Sequence, residues 1–533
     1  MFRRLNTIFG LLVVISLLVT PIVAAQGPTF DATAAEEEGY WYSRYNLGNL
    51  VMRSGLGDTF MPEMAMIQQM VQMVDADPND GDTAMPPTNA ALLKSVYTSG
   101  DPHYTQQVDV ADFGTQRWDP ASFDKTVTSR SLGWPMIKEV EWAKQFHVDN
   151  HFGTPTDNFG AQWRFVGLVL TAEAKMQGQY ALQMLKNEQG LIANSDGTVD
   201  WGGQWVMLEA LSDLGGLLGA ATVPHSAANR YADPDTSGMF LGAADMLFGA
   251  LASRQPADTE ELSLAIQGLT WYAANTTNAS NQAQAISLIG KYGDALVGSA
   301  TDNATSKAFA TRGLIEAYRV SGNNSFLDAA VSAYNDLAGE FDATSGTFSS
   351  QSSYTIDDVA VIMGAINSAR LFTGDAIDQA KAEDLFRDFF ESVVNKSGLQ
   401  ISVPPIPVAK GTFEQDEPEV FYGYPGKPMP PMAGGEFGIA PVFATEVSWD
   451  GSQWSVTNGN FDSAGAMHAS NEFIWFHNDE VNGFPEVTAL VTPTTLPTTG
   501  GGSSLPTLAL LSVLAGLLLI GGGLAARRQV TVR

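Results

Sequence analysis

The sequence predicts a mainly α-helical body, built as an array of helical hairpins with a small β-containing C-terminal segment. An N-terminal signal peptide and a C-terminal transmembrane helix flank it. Three observations predict this. From Asp157 to Lys396, apolar residues recur at three- and four-residue spacing, broken by Gly, Asn, Asp or Pro. Two hairpin sequences repeat: Ala317-Tyr318-Arg319-Val320-Ser321-Gly322-Asn323, and Ala369-Arg370-Leu371-Phe372-Thr373-Gly374-Asp375, with their glycines 52 residues apart. Both chain ends carry long uncharged apolar runs.

At the N-terminus, Arg3 and Arg4 precede the apolar run Ile8–Val19, and Val23-Ala24-Ala25 supplies small residues. This is the pattern of a secretory signal, with cleavage expected after Ala25. A small, acidic leader (26–39) follows, expected to be disordered. At the other end, a Thr/Pro stalk (487–504) contains Leu496-Pro497-Thr498-Thr499-Gly500 and leads into Leu505–Ala526, which holds no charge. At 1.5 Å per residue, such a run spans a hydrocarbon core of roughly 30 Å. Arg527 and Arg528 then place the tail 527–533 in the cytoplasm.

That order of pentapeptide, apolar span and basic stop resembles the sorting signal of sortase-anchored LPXTG surface proteins. The resemblance covers 496–528. It implies a sortase transpeptidase as partner, cleavage between Thr499 and Gly500, and attachment of Thr499 to the cell wall. A plain membrane anchor with a chance pentapeptide also leaves 27–499 outside, so either reading gives an exported, cell-surface protein.

The formal charge is −30, and all 58 acidic residues fall between the two ends. Such a field repels nucleic acid and anionic polymers, so no nucleic-acid partner is expected. The chain has no cysteine, which excludes disulfides, thiol catalysis and thiolate metal sites.

Along the chain, region 40–156 opens on Tyr40, Trp41, Tyr42 and Tyr45. A helix is expected at 62–74, where Met66, Met70 and Met73 fit a core-filling stripe better than a copper site. Asp75, Asp77, Asn79 and Asp82 alternate as oxygen ligands in a calcium loop do. Asp80 and Pro86 break the EF-hand pattern, so a polar turn is the alternative. Asp233, Asp235 and Ser237 form a second such candidate, without a twelfth-position acid; its alternative is a helix-capping turn. Bound Ca²⁺ is the one cofactor considered. His147 and His151 have helical zinc spacing but lack the glutamate of H-E-x-x-H, and Gly153 and Pro155 follow.

Within 157–396, helices are expected at 159–187, 201–220, 237–253, 258–274, 281–298, 304–320, 325–340, 356–372 and 376–394. Gly322-Asn323 and Gly374-Asp375 each end one helix and start the next. A period near 50 residues means stacked helix pairs, in an open solenoid or a closed toroid. Segment 397–486 is Pro-rich, has a hairpin at Asp450-Gly451, and then a helix over 461–478 that closes the array or packs on it.

The hairpin style, a small-residue turn and then an aromatic or Leu before Asp-x-Ala, resembles the six-hairpin (α/α) toroid group of glycosidases, lyases and sugar epimerases. This resemblance covers roughly 160–395. It implies a cleft at one face that binds or processes carbohydrate, with a glycan as ligand and a glycoside hydrolase or polysaccharide lyase as the enzyme class.

Sugars need stacking aromatics beside carboxylates. The densest such stretch is Asp196–Asp213, where Trp201, Trp205 and Glu209 follow at i, i+4 and i+8 as candidate substrate-binding residues. Asp200, Asp357 and Asp358, all at helix starts, are the candidate catalytic carboxylates. Capping for the acids and core packing for the tryptophans are the competing roles. The alternative function is a non-catalytic surface scaffold stiffened by calcium.

Overall fold

Six helices form a closed inner ring, and each is backed by an outer helix. The structure is a computed structural model that describes residues 30–50, 54–74, 92–107, 116–147, 160–223, 228–299, 301–402, 406–408, 419–421 and 438–473. The signal peptide, the loop Asp75–Asp82, His151, the pentapeptide Leu496–Gly500 and the apolar span lie outside the described residues. No described helix is long and apolar enough to cross a membrane.

The helices in chain order are α1 (Ala32–Gly48), α2 (Met64–Val74), α3 (Ser129–His147), α4 (Gly160–Tyr180), α5 (Trp201–Gly219), α6 (Pro234–Leu251), α7 (Thr259–Asn275), α8 (Ala279–Val297), α9 (Ala304–Ser321), α10 (Asn324–Gly339), α11 (Ile356–Phe372), α12 (Gln379–Phe389) and α13 (Ser463–Glu472). Helix α3 packs on α5, α5 on α7, α7 on α9, α9 on α11, α11 on α13, and α13 back on α3. Outside them, α4, α6, α8, α10 and α12 back the inner helix that precedes each in the chain. The sixth pair is split in sequence: α1 is the outer helix and α13 the inner one. Ser43 Oγ donates to the Ser470 carbonyl across this pair (2.8 Å), and Arg370 ties α11 to Glu36 of α1 (2.8 Å). The array is therefore a toroid, and the helix expected over 461–478 closes it.

Local chemistry sets the hairpins. Asn303 and Ser306 form a capping box at the start of α9, and Gly322 ends the helix in the left-handed region at φ +66°. Asn323 caps α10, and Asp378 caps α12 after a short 3₁₀ turn at Gly374–Ala376. Apolar side chains fill the layer between the two rings: Trp205 meets Tyr292 edge-on, and Phe248 stacks on Tyr272. The α2 methionines depart from expectation. Ile67 and Val71 form its buried stripe, while Met66 and Met73 are exposed.

Short strands finish the ring. Strands β1 (Thr59–Phe60) and β2 (Leu92–Leu93) pair with each other, as do β4 (Phe341–Asp342) and β5 (Thr347–Phe348), and β7 (Ile406–Val408) and β8 (Glu419–Phe421). Strand β6 (Ser353–Thr355) pairs with β9 (Glu446–Trp449), and β9 pairs with β10 (Trp454–Asn458) through the expected hairpin, where Gly451 sits at φ +98°. Strand β11 (Phe461–Asp462) pairs with β3 (Ser99–Gly100). Helices α11 and α13 thus each begin directly after a strand, β6 and β11. Gly465 lets their first turns touch, since a Cβ there would lie 2.5 Å from Ile356 Cγ2 and 3.3 Å from the Asp357 nitrogen.

Candidate active site at the mouth of the ring

Five inner helices bring an ionisable group to one mouth through their first residues. Arg130 comes from α3, Asp200 from the residue before α5, Glu260 from α7, Asp357 from α11 and Asp462 from the residue before α13. Arg130 Nε lies 2.6 Å from Asp200 Oδ2, and its Nη1 lies 2.7 Å from Glu260 Oε1. Asp200 occupies the N-cap position but makes no side-chain cap bond; its carboxylate turns to Arg130 instead. The close approach needs Gly202, where a Cβ would fall 2.2 Å from Arg130 Nη2. Gly202→Ala is therefore expected to displace the guanidinium and cost about 1–3 kcal/mol by overpacking. A denaturant midpoint equal to that of the parent protein would contradict this.

On the opposite side of the mouth, Asp357 Oδ1 lies 2.6 Å from His468 Nδ1, and the His468 ring stacks on Trp134 with centroids 4.1 Å apart and planes 7° apart. Trp134 sits one turn deeper than Arg130, so this stack floors the mouth.

The acids of the mouth differ in their titration. Burial, reinforced by the neighbouring Asp357 charge, pushes the Asp462 carboxyl up to about 6. Asp357 goes the other way. Burial raises it, but His468 and then Arg130 outweigh burial and hold it below the usual carboxylate range. Glu260 is raised, by burial first and against the pull of Arg130. A shallow depression of about 370 Å³, lined by Asp101, His103, Ile401, Ile439, Val456 and Asn460 among others, lies beside the mouth, two residues along the chain from Asp462.

Below the floor the axis is filled with charge. Arg312 pairs with Glu316 (3.2 Å) and Glu472 (3.5 Å), Arg319 with Glu316 (2.8 Å), Lys138 with Glu141 (2.7 Å), and Lys144 with Asp213 (2.5 Å). Glu209 faces this column, and burial raises it well above the ordinary range despite Arg312. The site is a shallow mouth over a packed axis rather than a deep funnel.

Of the candidate catalytic residues, Asp200 and Asp357 reach the mouth. Asp358 is engaged elsewhere: it forms the capping box of α11 with Thr355 and accepts from Thr305 Oγ1 at 2.8 Å. The aromatic stripe on α5 turns away from the mouth. Trp201 is half-buried under the Arg254 guanidinium (3.9 Å), and Trp205 is fully buried with its Nε1 3.5 Å from Glu261. Large indoles fill the layer between the rings, which takes them from any ligand. Asp196 is exposed and holds Thr198 in a turn.

Among the calcium candidates, Asp233 caps α6, accepts from Thr236 and pairs with Lys175 at 2.6 Å. The Lys175 bond leads the causes that hold it down at about 2. Asp235 is exposed, and the buried Ser237 Oγ donates to the Gly215 carbonyl at 2.7 Å. Among the described residues, no group of three or more His, Cys, Asp or Glu is arranged to hold a metal ion. His147 is buried, and its Nε2 accepts from the Arg230 backbone N–H at 2.7 Å.

Sequence reasoning missed Arg130, Glu260, Asp462, His468 and Trp134. Arg130, Glu260 and Asp462 lie at the start of an inner helix, while Trp134 and His468 lie more than a turn further in.

No protein-family model matches the chain, and no curated protein matches it either. Among solved structures, the chain is similar to a sugar epimerase from a ruminal bacterium, at TM-score 0.39 and 10% identity over 76% of this chain and 98% of that one. It is also similar to an endoglucanase from Clostridium thermocellum complexed with cellotriose, at TM-score 0.37 and 11% identity over 82% of this chain and 70% of that one. The ring architecture rests on its own helix contacts rather than on these likenesses.

Proposed function

We propose that the mouth is a general acid–base site that hydrolyses extracellular carbohydrate, on a protein held at the cell surface by its C-terminal segment. The observation that carries this is the split between two neighbouring carboxyls. Environments that push two acids apart in pKa assign one as proton donor and the other as anion. Asp462, neutral up to about pH 6, donates its proton to the glycosidic oxygen as the C–O bond breaks. Asp357, held anionic, takes the proton of the water that adds to the anomeric carbon. Arg130 fixes Asp200 and Glu260 around the same opening. The acidic mouth and the net charge of −30 suit neutral glycans.

One observation favours a second reading. The packed axis below Trp134 and His468 suits a non-catalytic scaffold with no turnover at all, the reading in which calcium is the proposed stiffener. The two are separated by incubating the purified ectodomain with neutral oligosaccharides and polysaccharides and measuring new reducing ends and binding. Release by the parent protein and not by Asp357→Asn supports the enzyme. No binding and no release from any glycan leaves the scaffold.

A further inference from the structure

We infer that Glu139, Glu173 and Gln177 form a buried site for a divalent, oxygen-preferring cation of the calcium class, between the first inner helix and its outer partner. Glu139 lies on α3, and Glu173 and Gln177 are four residues apart on one face of α4, all three with zero exposure. Gln177 Nε2 donates to Glu139 Oε1 at 2.9 Å, and the backbone N–H of Leu93 in β2 donates to Glu173 Oε1. That leaves three acceptors, Glu139 Oε2, Glu173 Oε2 and Gln177 Oε1, buried without a hydrogen-bond partner.

An unpartnered buried polar oxygen is costly, and a carboxylate more so. The buried charged groups lower on the axis each face an opposite charge: Arg312 faces glutamates, and Lys138 faces Glu141. Among the described residues no lysine or arginine pairs with Glu139 or Glu173, and the two carboxyls oppose each other electrostatically. Two carboxylates and an amide oxygen, with neither sulfur nor imidazole, are ligands for a hard cation, and carboxylates that bind through one or both oxygens suit calcium. One divalent ion would neutralise the pair and satisfy all three free oxygens. It would also clamp β2 to helices α3 and α4. The site is separate from the mouth and from Asp233, Asp235 and Ser237.

The test uses the purified ectodomain stripped with chelator, then titrated with calcium chloride while its thermal midpoint is followed. The same is done with the double variant Glu139→Gln, Glu173→Gln, which keeps shape and removes charge. The parent protein is expected to gain about 5 °C at saturating calcium, and the variant to gain none. Equilibrium dialysis is expected to find one calcium fewer per chain in the variant. A calcium response of equal size in both proteins overturns the inference, because the ion then sits elsewhere. No response in the parent protein also overturns it, because protons alone then fill the site. If the variant does not fold, Gln177→Leu, which removes only the amide ligand, must lower calcium affinity at least tenfold; an unchanged affinity overturns the inference as well.

Discussion

Asp357→Asn is expected to lower glycan hydrolysis by roughly 10²–10⁴-fold while the ring stays folded. The amide keeps an oxygen for His468, so the stack on Trp134 persists, but it cannot take a proton from water. A second effect follows from the charges. The Asp357 carboxylate helps hold Asp462 up, so its loss lowers Asp462 and moves the alkaline limb of the rate profile to lower pH. The linked stability effects have opposite signs. Asp357 is depressed in the fold, so its contribution is present above the unfolded carboxylate pKa and disappears as pH falls through the folded value. Asp462 is raised, so its contribution is present below the unfolded pKa and is lost as pH rises through about 6. Asp462→Asn, which retains the cap on the Ala464 N–H, is therefore expected to be more stable than the parent protein at pH 7, by roughly 1–3 kcal/mol. Paired denaturant titrations at pH 4.5 and pH 7 check this, since the difference should shrink at the lower pH.

Arg312→Met is expected to be the most damaging single change outside the mouth, at about 3–5 kcal/mol. Arg312 is 9% exposed and answers Glu316 and Glu472, with Glu209 also facing it. Removing one partner of a buried network leaves the remaining charges unpaired, whereas removing both can be nearly neutral. Adding Glu472→Gln to Arg312→Met should accordingly restore part of the loss. A single variant within about 1 kcal/mol of the parent protein, by urea midpoint, would mean that the column is hydrated and carries little.

The outer architecture was legible because amphipathic helices announce their boundaries. Asn303, Gly322, Asn323 and Asp378 act in the fold as their residue types suggest. The first inner helix was not legible. Gly133 and Pro135 interrupt the pattern of α3, and its axis side carries Lys138 and Glu141, so no clean apolar stripe appears. Nor could the sequence show that α1 and α13, more than 400 residues apart, make one hairpin. At the site, Asp200 and Asp357 were visible as acids at helix starts. Arg130, Asp462 and His468 were not, because what unites them is ring closure, a long-range event without a local motif. Trp201 and Trp205 turn from the mouth for a related reason, while Glu209 of the same stripe faces the axis column below it. Helical spacing puts residues on one face but does not say whether that face meets the axis or the outer ring.

The most direct test of the account is the pH dependence of hydrolysis by the parent protein and by Asp462→Asn on the same neutral oligosaccharide. The parent rate is expected to fall as pH rises through about 6, and the variant is expected to be slow with that limb gone. A parent rate that is flat between pH 5 and 8, or an Asp462→Asn protein that keeps both the rate and the limb, would contradict it.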